Sequence, residues 1–177
     1  ILYGLASVLS THFGVDYGHM MLNVRDIGPL AAGLFFHPVS GIIAGLIGGI
    51  ERYIAGTYWG VGSYTRIACG LSTCLAGFLA AFSSIFIFKR KKPAPDFAFF
   101  MGAVMEVFHM YVVLITHRDD MKMAYYVVKT CSAPMIFFTA LGLGGISVWL
   151  QVLTREWKNP LEPHSPDEDH VADRFQH

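Results

Sequence analysis

The chain has 177 residues, of which 54% are apolar and 15% are charged, and its mean hydropathy is +0.46. This balance excludes an ordinary soluble domain and is typical of a membrane protein. Thirteen basic residues match thirteen acidic ones, so the formal net charge of zero gives no reason to expect a nucleic-acid partner. The three cysteines are odd in number and form no CxxC motif, so we predict no disulfide framework.

Apolar runs separated by short polar segments predict an all-α integral membrane fold, a bundle of five to six transmembrane or half-membrane helices. Residues 1–9 are predicted to be the end of a truncated first helix, and residues 10–26 to be a polar loop. The 27–50 run comes next, and 51–65 is predicted to be a loop rich in the aromatic residues of a membrane interface. Further spans are predicted at 66–89, 97–117 and 124–153.

Residues 1–153 are therefore the predicted membrane domain, and 154–177 are predicted to be a polar cytoplasmic linker or a cut end. Four consecutive cations run from Lys89 to Lys92. Because positive charge accumulates in short cytoplasmic loops, this loop is predicted to be cytoplasmic. Counting spans from it places the 51–65 and 118–123 loops outside and the tail inside.

The 27–50 run contains no charged residue and is bracketed by the pairs Arg25-Asp26 and Glu51-Arg52. Its length suits one membrane-crossing helix at ~1.5 Å per residue. Pro38 lies inside the run, however, and a proline interrupts a helix and disfavours helical dihedral angles at the residue before it. The run is therefore either one kinked span, with the two arginines on opposite membrane faces, or two short helices folded back, with both arginines on one face.

Several polar side chains allow two interpretations. A lone interfacial arginine usually extends toward water beside a local acid, but two on one face can bind a carboxylate or phosphate. Lys129, near the outer end of the last span, either extends to the interface or adds charge to an outward-facing pocket. At the start of the 66–89 span, four polar residues recur at helical spacing and so form a stripe along one helix face. Such a stripe either packs against neighbouring helices or lines a small-ligand pocket. Its members are Arg66, Cys69, Ser72 and Thr73.

Glu106 and His109 lie three residues apart on one face of an otherwise apolar span, where a charge should be paired inside the bundle. The same spacing occurs in metal sites of helical bundles. A metal needs three or more protein ligands, so this single pair predicts a structural polar contact, with no metal and no other cofactor. A module that binds or transports a metal or a small molecule is the alternative.

The segment NVRDIGPLAAGLFFHPVSGIIAGLIGGIERYIAG (23–56) resembles the LytS-type five-transmembrane sensor domain of bacterial membrane receptors. The likeness continues through CGLSTCLAGFLAAF (69–82) and APMIFFTALGLGG (133–145). The chain departs from the family pattern at His37, where glycine is usual, at Thr139, where asparagine is common, and in a longer 57–65 loop.

The resemblance implies a non-enzymatic input module in the bacterial plasma membrane, serving a sensor histidine kinase or, in some chains, a diguanylate cyclase. It implies a homodimer through the full-length receptor, with small carboxylates such as pyruvate as signals for some members and a link to cell-wall turnover for others. Carried over by motif, Arg25 and Arg52 are the anion-binding arginines. Cys69 and Ser72 are polar groups of the pocket. Further candidate ligand-binding residues are Asn23, Arg66 and Lys129.

The resemblance also favours one of the two interpretations of the 27–50 run. A continuous helix would separate Arg25 from Arg52 by roughly 40 Å, too far for one small ligand to contact both. Because the resemblance places both in one site, we predict a break at His37-Pro38, with both arginines on the outer side. The two arms would have about 10 and 14 residues. The predicted function is to sense a small anion and pass a change of helix packing to an output domain; a purely structural membrane anchor is a further alternative.

Overall fold

The computed structural model describes residues 2–17 and 20–158, and this part of the chain is helical except for one small hairpin. The strands β1 (Val15–Tyr17) and β2 (Met20–Leu22) pair antiparallel, with Asp16 opposite Met21. The helices are α1 (Leu2–His12), α2 (Ile27–Ala31), α3 (Pro38–Tyr58), α4 (Arg66–Phe82), α5 (Pro95–Thr116) and α6 (Met121–Lys158). Single π-helical turns extend α2 through Ala32–Phe36 and α4 through Ser83–Ile87.

Four helical stretches are long and apolar enough to cross a membrane, and the Ile27–Phe36 segment is a shorter apolar helix. The prediction of a helical membrane bundle is therefore confirmed. The described chain divides after Ser147 into a packed unit, residues 2–147, and the end of α6, residues 148–158. The predicted tail, 154–177, extends outside the described residues, and its role stays a prediction.

The predicted break at His37-Pro38 is confirmed, and it separates α2 from α3. His37 has φ −148° and ψ 136°, and Pro38 is the first residue of α3. This φ is ordinary extended backbone, so histidine can stand where the family usually has glycine. The tip satisfies its own backbone groups: the His37 N–H donates to Ala32 O at 3.0 Å, and the Ser40 N–H donates to His37 O at 2.9 Å. Such pairing is required at membrane depth, where water does not replace missing hydrogen bonds.

The two arms of this hairpin touch along glycines. A Cβ added to Gly41 would lie 2.6 Å from the Gly33 Cα, so the backbones meet with no room for a side chain. Small residues let helices approach closely in membranes, where dispersion contacts supply much of the association energy. The glycine pattern of the 27–50 run thus holds the two arms together.

Three element boundaries differ from prediction. The first helix continues to His12, and part of the predicted 10–26 loop forms the β-hairpin. The second arm is 21 residues long instead of about 14, because α3 continues past Arg52 to Tyr58. Within the predicted 51–65 loop, no residue before Trp59 interrupts the helix, so Arg52 lies inside α3 rather than at its end. The aromatic residues of this segment can lie at a membrane interface in a loop or at the end of a helix, so they do not distinguish between the two.

The 59–65 loop and the turn after α5 lie at the same end of the bundle. The Tyr64 ring stacks on His117 with 4.3 Å between centroids, and His117 Nε2 lies 2.7 Å from Tyr64 O. The cationic 89–92 loop joins the opposite ends of α4 and α5. This arrangement agrees with the predicted order of the spans, while the side of the membrane that each end faces stays a prediction.

Candidate functional site

A cluster of polar side chains is buried where the 23–26 segment meets α1, α3, α4, α5 and α6. Each member is at most 2% exposed, although four of them are acids or arginines. The members are Thr11, Arg25, Asp26, Arg52, Ser72, Thr73, Glu106, His109 and Thr139. Charged groups are costly inside a membrane bundle unless they are paired, and they are commonly functional there. We therefore treat this cluster as the candidate site.

Arg25 is held in the cluster by two threonines. Its Nε donates to Thr73 Oγ1 at 3.0 Å, and its Nη1 donates to Thr11 Oγ1 at 3.0 Å. The Arg25 backbone N–H also approaches Asn23 Oδ1 at 3.5 Å. Its third nitrogen, Nη2, is buried without a hydrogen-bond partner among the described residues.

Arg52 is bound to the loop that follows α3. Its Nη1 donates to Val61 O, and its Nη2 donates to Gly62 O at 2.8 Å and approaches Thr65 Oγ1 at 3.4 Å. Its Nε is buried and unpartnered among the described side chains and backbone. The charges of Arg25 and Arg52 are near enough to interact, although their hydrogen bonds go to different groups. The hairpin therefore brings the two predicted arginines to one region, and each keeps one free donor there.

His109 lies between two acids and a thiol. Its Nδ1 is 3.4 Å from Asp26 Oδ2 and 3.2 Å from Glu106 Oε2, and its Nε2 is 3.4 Å from Cys69 Sγ. The other carboxylate oxygen of Glu106, Oε1, accepts a hydrogen bond from Thr139 Oγ1 at 2.9 Å. The contact that the sequence predicted between Glu106 and His109 is thus present, and Asp26 joins it.

Asp26 connects the histidine with Arg25. It precedes the first arm, but its side chain makes no capping bond to α2 and enters the cluster instead. Thr73 Oγ1 donates to its Oδ1 at 2.6 Å, and Ser72 Oγ approaches its Oδ2 at 3.4 Å. Burial alone would raise the pKa of this carboxyl group. The nearby charge of His109, together with Arg25 and Thr73, outweighs burial and lowers the pKa of Asp26 below its ordinary value.

A cavity of about 230 Å³ adjoins the cluster. Its polar wall includes Asn23, Cys69 and His109. Its remaining wall comes from loop 60–65 and from apolar side chains of α5 and α6, namely Met110, Val113, Met123, Val127, Cys131 and Met135. A mostly apolar cavity with a few convergent polar groups is the usual form of a small-molecule site.

The predicted site residues do not all meet. Arg25, Arg52 and Ser72 are buried and are not among the described residues that line the cavity. Arg66 is half-buried and donates to Ser63 O at 3.1 Å. Its Nε is also buried without a partner, but no hydrogen bond among the described residues joins Arg66 to the cluster. Lys129 is exposed and lines a separate cavity of about 700 Å³ beside Tyr126 and Phe138.

Sequence reasoning missed four contributors. Thr11 lies in a segment that the sequence predicts to be a loop, and the sequence pattern indicates Asp26 only as a local acid beside Arg25. Thr73 was seen on the polar stripe but not as a partner of charged groups, and Thr139 was noted only as a departure from asparagine. Each looks ordinary alone, because only the fold places it beside a charge. An acid directly after Arg25, in a chain with few charges, was the one signal that could have indicated Asp26.

The family model described as 5TMR of 5TMR-LYT matches residues 1–151. The sensor protein LytS of Bacillus cereus is 28% identical over 148 residues, which are 82% of this chain and 23% of that protein. The sensor histidine kinase BtsS of Escherichia coli is 27% identical over 146 residues, covering 80% of this chain and 25% of its own. This chain therefore spans about a quarter of the length of these curated relatives. No solved structure matches the chain.

Proposed function

Since the chain belongs to the 5TMR of 5TMR-LYT family and is a membrane sensor domain, we propose that it binds a small anionic metabolite, such as a small carboxylate, at its outer side. The domain is a non-catalytic input region of a bacterial receptor. The output domain in this proposal is a cytoplasmic histidine kinase, in line with the relative named as the sensor histidine kinase BtsS, and the receptor is a homodimer in the bilayer. A small carboxylate such as pyruvate matches the proposed chemistry.

The observation that carries this proposal is the pair of buried arginines with free donors. Arg25 Nη2 and Arg52 Nε are both without a hydrogen-bond partner in the described part of the chain. A buried polar group left unpaired costs about 1–3 kcal/mol, and more when it is charged. Two neighbouring guanidinium groups also repel each other. An anion that accepts from both donors removes both costs, and so these arginines are suited to a carboxylate.

The adjoining cavity supports an entry path. Cys69 lines the cavity, and both arginines are near enough for their charges to act on its thiol, so the cavity and the two guanidinium groups share this neighbour. A carboxylate in this position would place its charged end toward the arginines and its short apolar end toward Met110 and Val113. The volume of about 230 Å³ is small for a drug-sized ligand and suits a small metabolite.

Signalling requires that the ligand bind two helix packings with different affinity. Arg52 provides a route, because it holds the backbone carbonyls of Val61 and Gly62. The same loop is joined to the start of the last helix through Tyr64 and His117. If an anion draws the Arg52 guanidinium away from these carbonyls, the loop and the turn before α6 lose a support. α6 is the helix that continues toward the output domain in this proposal.

The test is calorimetric titration of the chain in lipid nanodiscs with pyruvate, lactate and acetate. Arg25→Lys and Arg52→Lys should each weaken binding at least 10-fold, because an ammonium group loses the planar fork that the guanidinium presents. Arg66→Lys is the matched control and should bind like wild type, since Arg66 lies outside the cluster. Equal binding by wild type and both test variants would refute the shared anion site.

A further inference from the structure

We propose that Asp26, Glu106 and His109 form a binding site for one divalent first-row transition-metal ion, such as Zn²⁺ or Mn²⁺. The site is separate from the anion contacts proposed for Arg25 and Arg52. The sequence alone offered two donors in this region, which is too few for a metal. The hairpin supplies the third donor, because it brings Asp26 against α4 and α5.

The spacing of the donor atoms fits a single ion. His109 Nδ1 is 3.4 Å from Asp26 Oδ2 and 3.2 Å from Glu106 Oε2, and one donor atom from each of the three residues lies within 4.8 Å of the others. Zinc binds nitrogen and carboxylate oxygen at about 2.0–2.2 Å, and the edge of a tetrahedron with such bonds is about 3.3–3.6 Å. The two measured separations are close to that edge.

Two of the three donor atoms lack hydrogen-bond partners among the described residues, and the third, Asp26 Oδ2, is approached from outside the trio only by Ser72 Oγ at 3.4 Å. His109 Nδ1 and Glu106 Oε2 are buried in side chains that are 1% exposed, and neither makes a hydrogen bond to the described residues. They approach one another at 3.2 Å without hydrogen-bond geometry. Buried polar atoms in proteins are nearly always satisfied, so two adjacent exceptions that point at each other need an explanation. A cation between them satisfies both.

Each proposed ligand is fixed through its other polar atom. Thr139 donates to Glu106 Oε1 at 2.9 Å, Thr73 donates to Asp26 Oδ1 at 2.6 Å, and His109 Nε2 contacts Cys69 Sγ at 3.4 Å. Oε2 and Nδ1 are then without partners, Oδ2 has only the long contact to Ser72, and the three donor atoms lie within 4.8 Å of one another. Metal ligands in proteins are typically oriented by such outer partners, which fix the ring and the carboxylate groups.

The charges and the donor types are also consistent with a divalent ion. Two carboxylates and a neutral imidazole carry two negative charges, and Arg25 approaches them through the shared Thr73. Oxygen and imidazole donors suit zinc, manganese or iron and are poor ligands for softer ions. His109 also lines the cavity, which gives the ion a path into the site.

The experiment measures metal in the purified chain in nanodiscs, with no carboxylate ligand present. The protein is stripped with a chelator, dialysed separately against Zn²⁺ and Mn²⁺, and analysed by mass spectrometry. We expect one ion per chain for at least one metal. Glu106→Gln and His109→Gln should lose the ion, and Thr139→Val should weaken the affinity about 10- to 100-fold because an outer partner is lost.

Two controls make the result specific. His12 and Glu51 form a second histidine–glutamate pair, 2.9 Å apart and more exposed, so Glu51→Gln should retain the metal. Arg52→Lys should also retain it, which separates this site from the proposed anion site. X-ray absorption on the wild-type protein should show an oxygen and nitrogen shell with one imidazole and no sulfur.

Three results would overturn the proposal: no stoichiometric ion in wild type, an unchanged ion content in both glutamine variants, or sulfur in the first shell. In the first two cases a protonated His109 between the two carboxylates accounts for the cluster. Because wild type alone decides the first and third results, the proposal stays testable even if a variant does not fold.

Discussion

Replacing Thr73 with valine should destabilise the domain far more than an ordinary threonine substitution does. The Thr73 hydroxyl accepts from Arg25 Nε at 3.0 Å and donates to Asp26 Oδ1 at 2.6 Å. Valine keeps the shape but removes the atom that joins these two charged groups. A hydrogen bond to a charged group contributes about 1.5–3 kcal/mol, so losing both should cost about 3–6 kcal/mol. Ordinary hydrogen bonds between membrane helices contribute only about 0.6 kcal/mol on average.

Reversible unfolding in mixed detergent micelles measures this difference as a change in the free energy of unfolding. Thr57→Val is the matched control. Both threonine hydroxyls lie near the carbonyl oxygen four residues earlier, Thr73 at 2.9 Å from Cys69 O and Thr57 at 2.7 Å from Tyr53 O, but Thr57 is exposed and has no hydrogen bond to a charged group. We expect the control to change stability by less than about 1 kcal/mol. If Thr73→Val cost no more than Thr57→Val, the link between Arg25 and Asp26 would not contribute to stability, and the cluster would need another explanation.

Two further predictions concern the hairpin and the orientation. Gly41→Ala should destabilise the domain by about 1–3 kcal/mol, since the added Cβ would meet Gly33 backbone at 2.6 Å; Gly145→Ala, with nothing within 4 Å of its added Cβ, should not. Equal unfolding free energies for these two variants would contradict the close packing of the arms. Single cysteines at positions 89–92 should resist a membrane-impermeant thiol reagent in intact cells, whereas cysteines at 59–62 should react. Labelling at 89–92 would contradict the predicted cytoplasmic position of this loop.

The helices could be predicted from the sequence because their signals are local. Uncharged runs of sufficient length define the spans, and Pro38 marks the break through its own ring and missing N–H. The end of α3 could not be found in this way. Glu51 and Arg52 indicate a membrane boundary by their charge, but in the fold Glu51 pairs with His12 and Arg52 binds carbonyls of the following loop. Charges that are paired by tertiary contacts do not end a helix.

The site could be predicted only in part, for a related reason. Arg25, Arg52 and the Glu106–His109 pair are conspicuous because charge is rare in this chain. Their partners are not conspicuous, since a buried threonine has the same local pattern as one that packs helices. The four residues that join the network come from four separate elements. Their roles depend on which elements are neighbours, and one sequence does not contain that information.

The extended conformation of His37 explains why these features occur together. If the chain continued as a helix through residue 37, Arg25 and Asp26 would lie roughly 40 Å from Arg52, on the far side of the membrane. The fold-back instead places Arg25 near Arg52 and Asp26 within 3.4 Å of His109. Two close arginines are unfavourable unless negative charge balances them, and two close carboxylates need a proton or a cation. The hairpin thus creates two adjacent clusters of opposite charge. The arginines are suited to an anion, and the carboxylates are suited to a cation. Because Cys69 adjoins both, a ligand in either site should alter the electrostatic environment of the other.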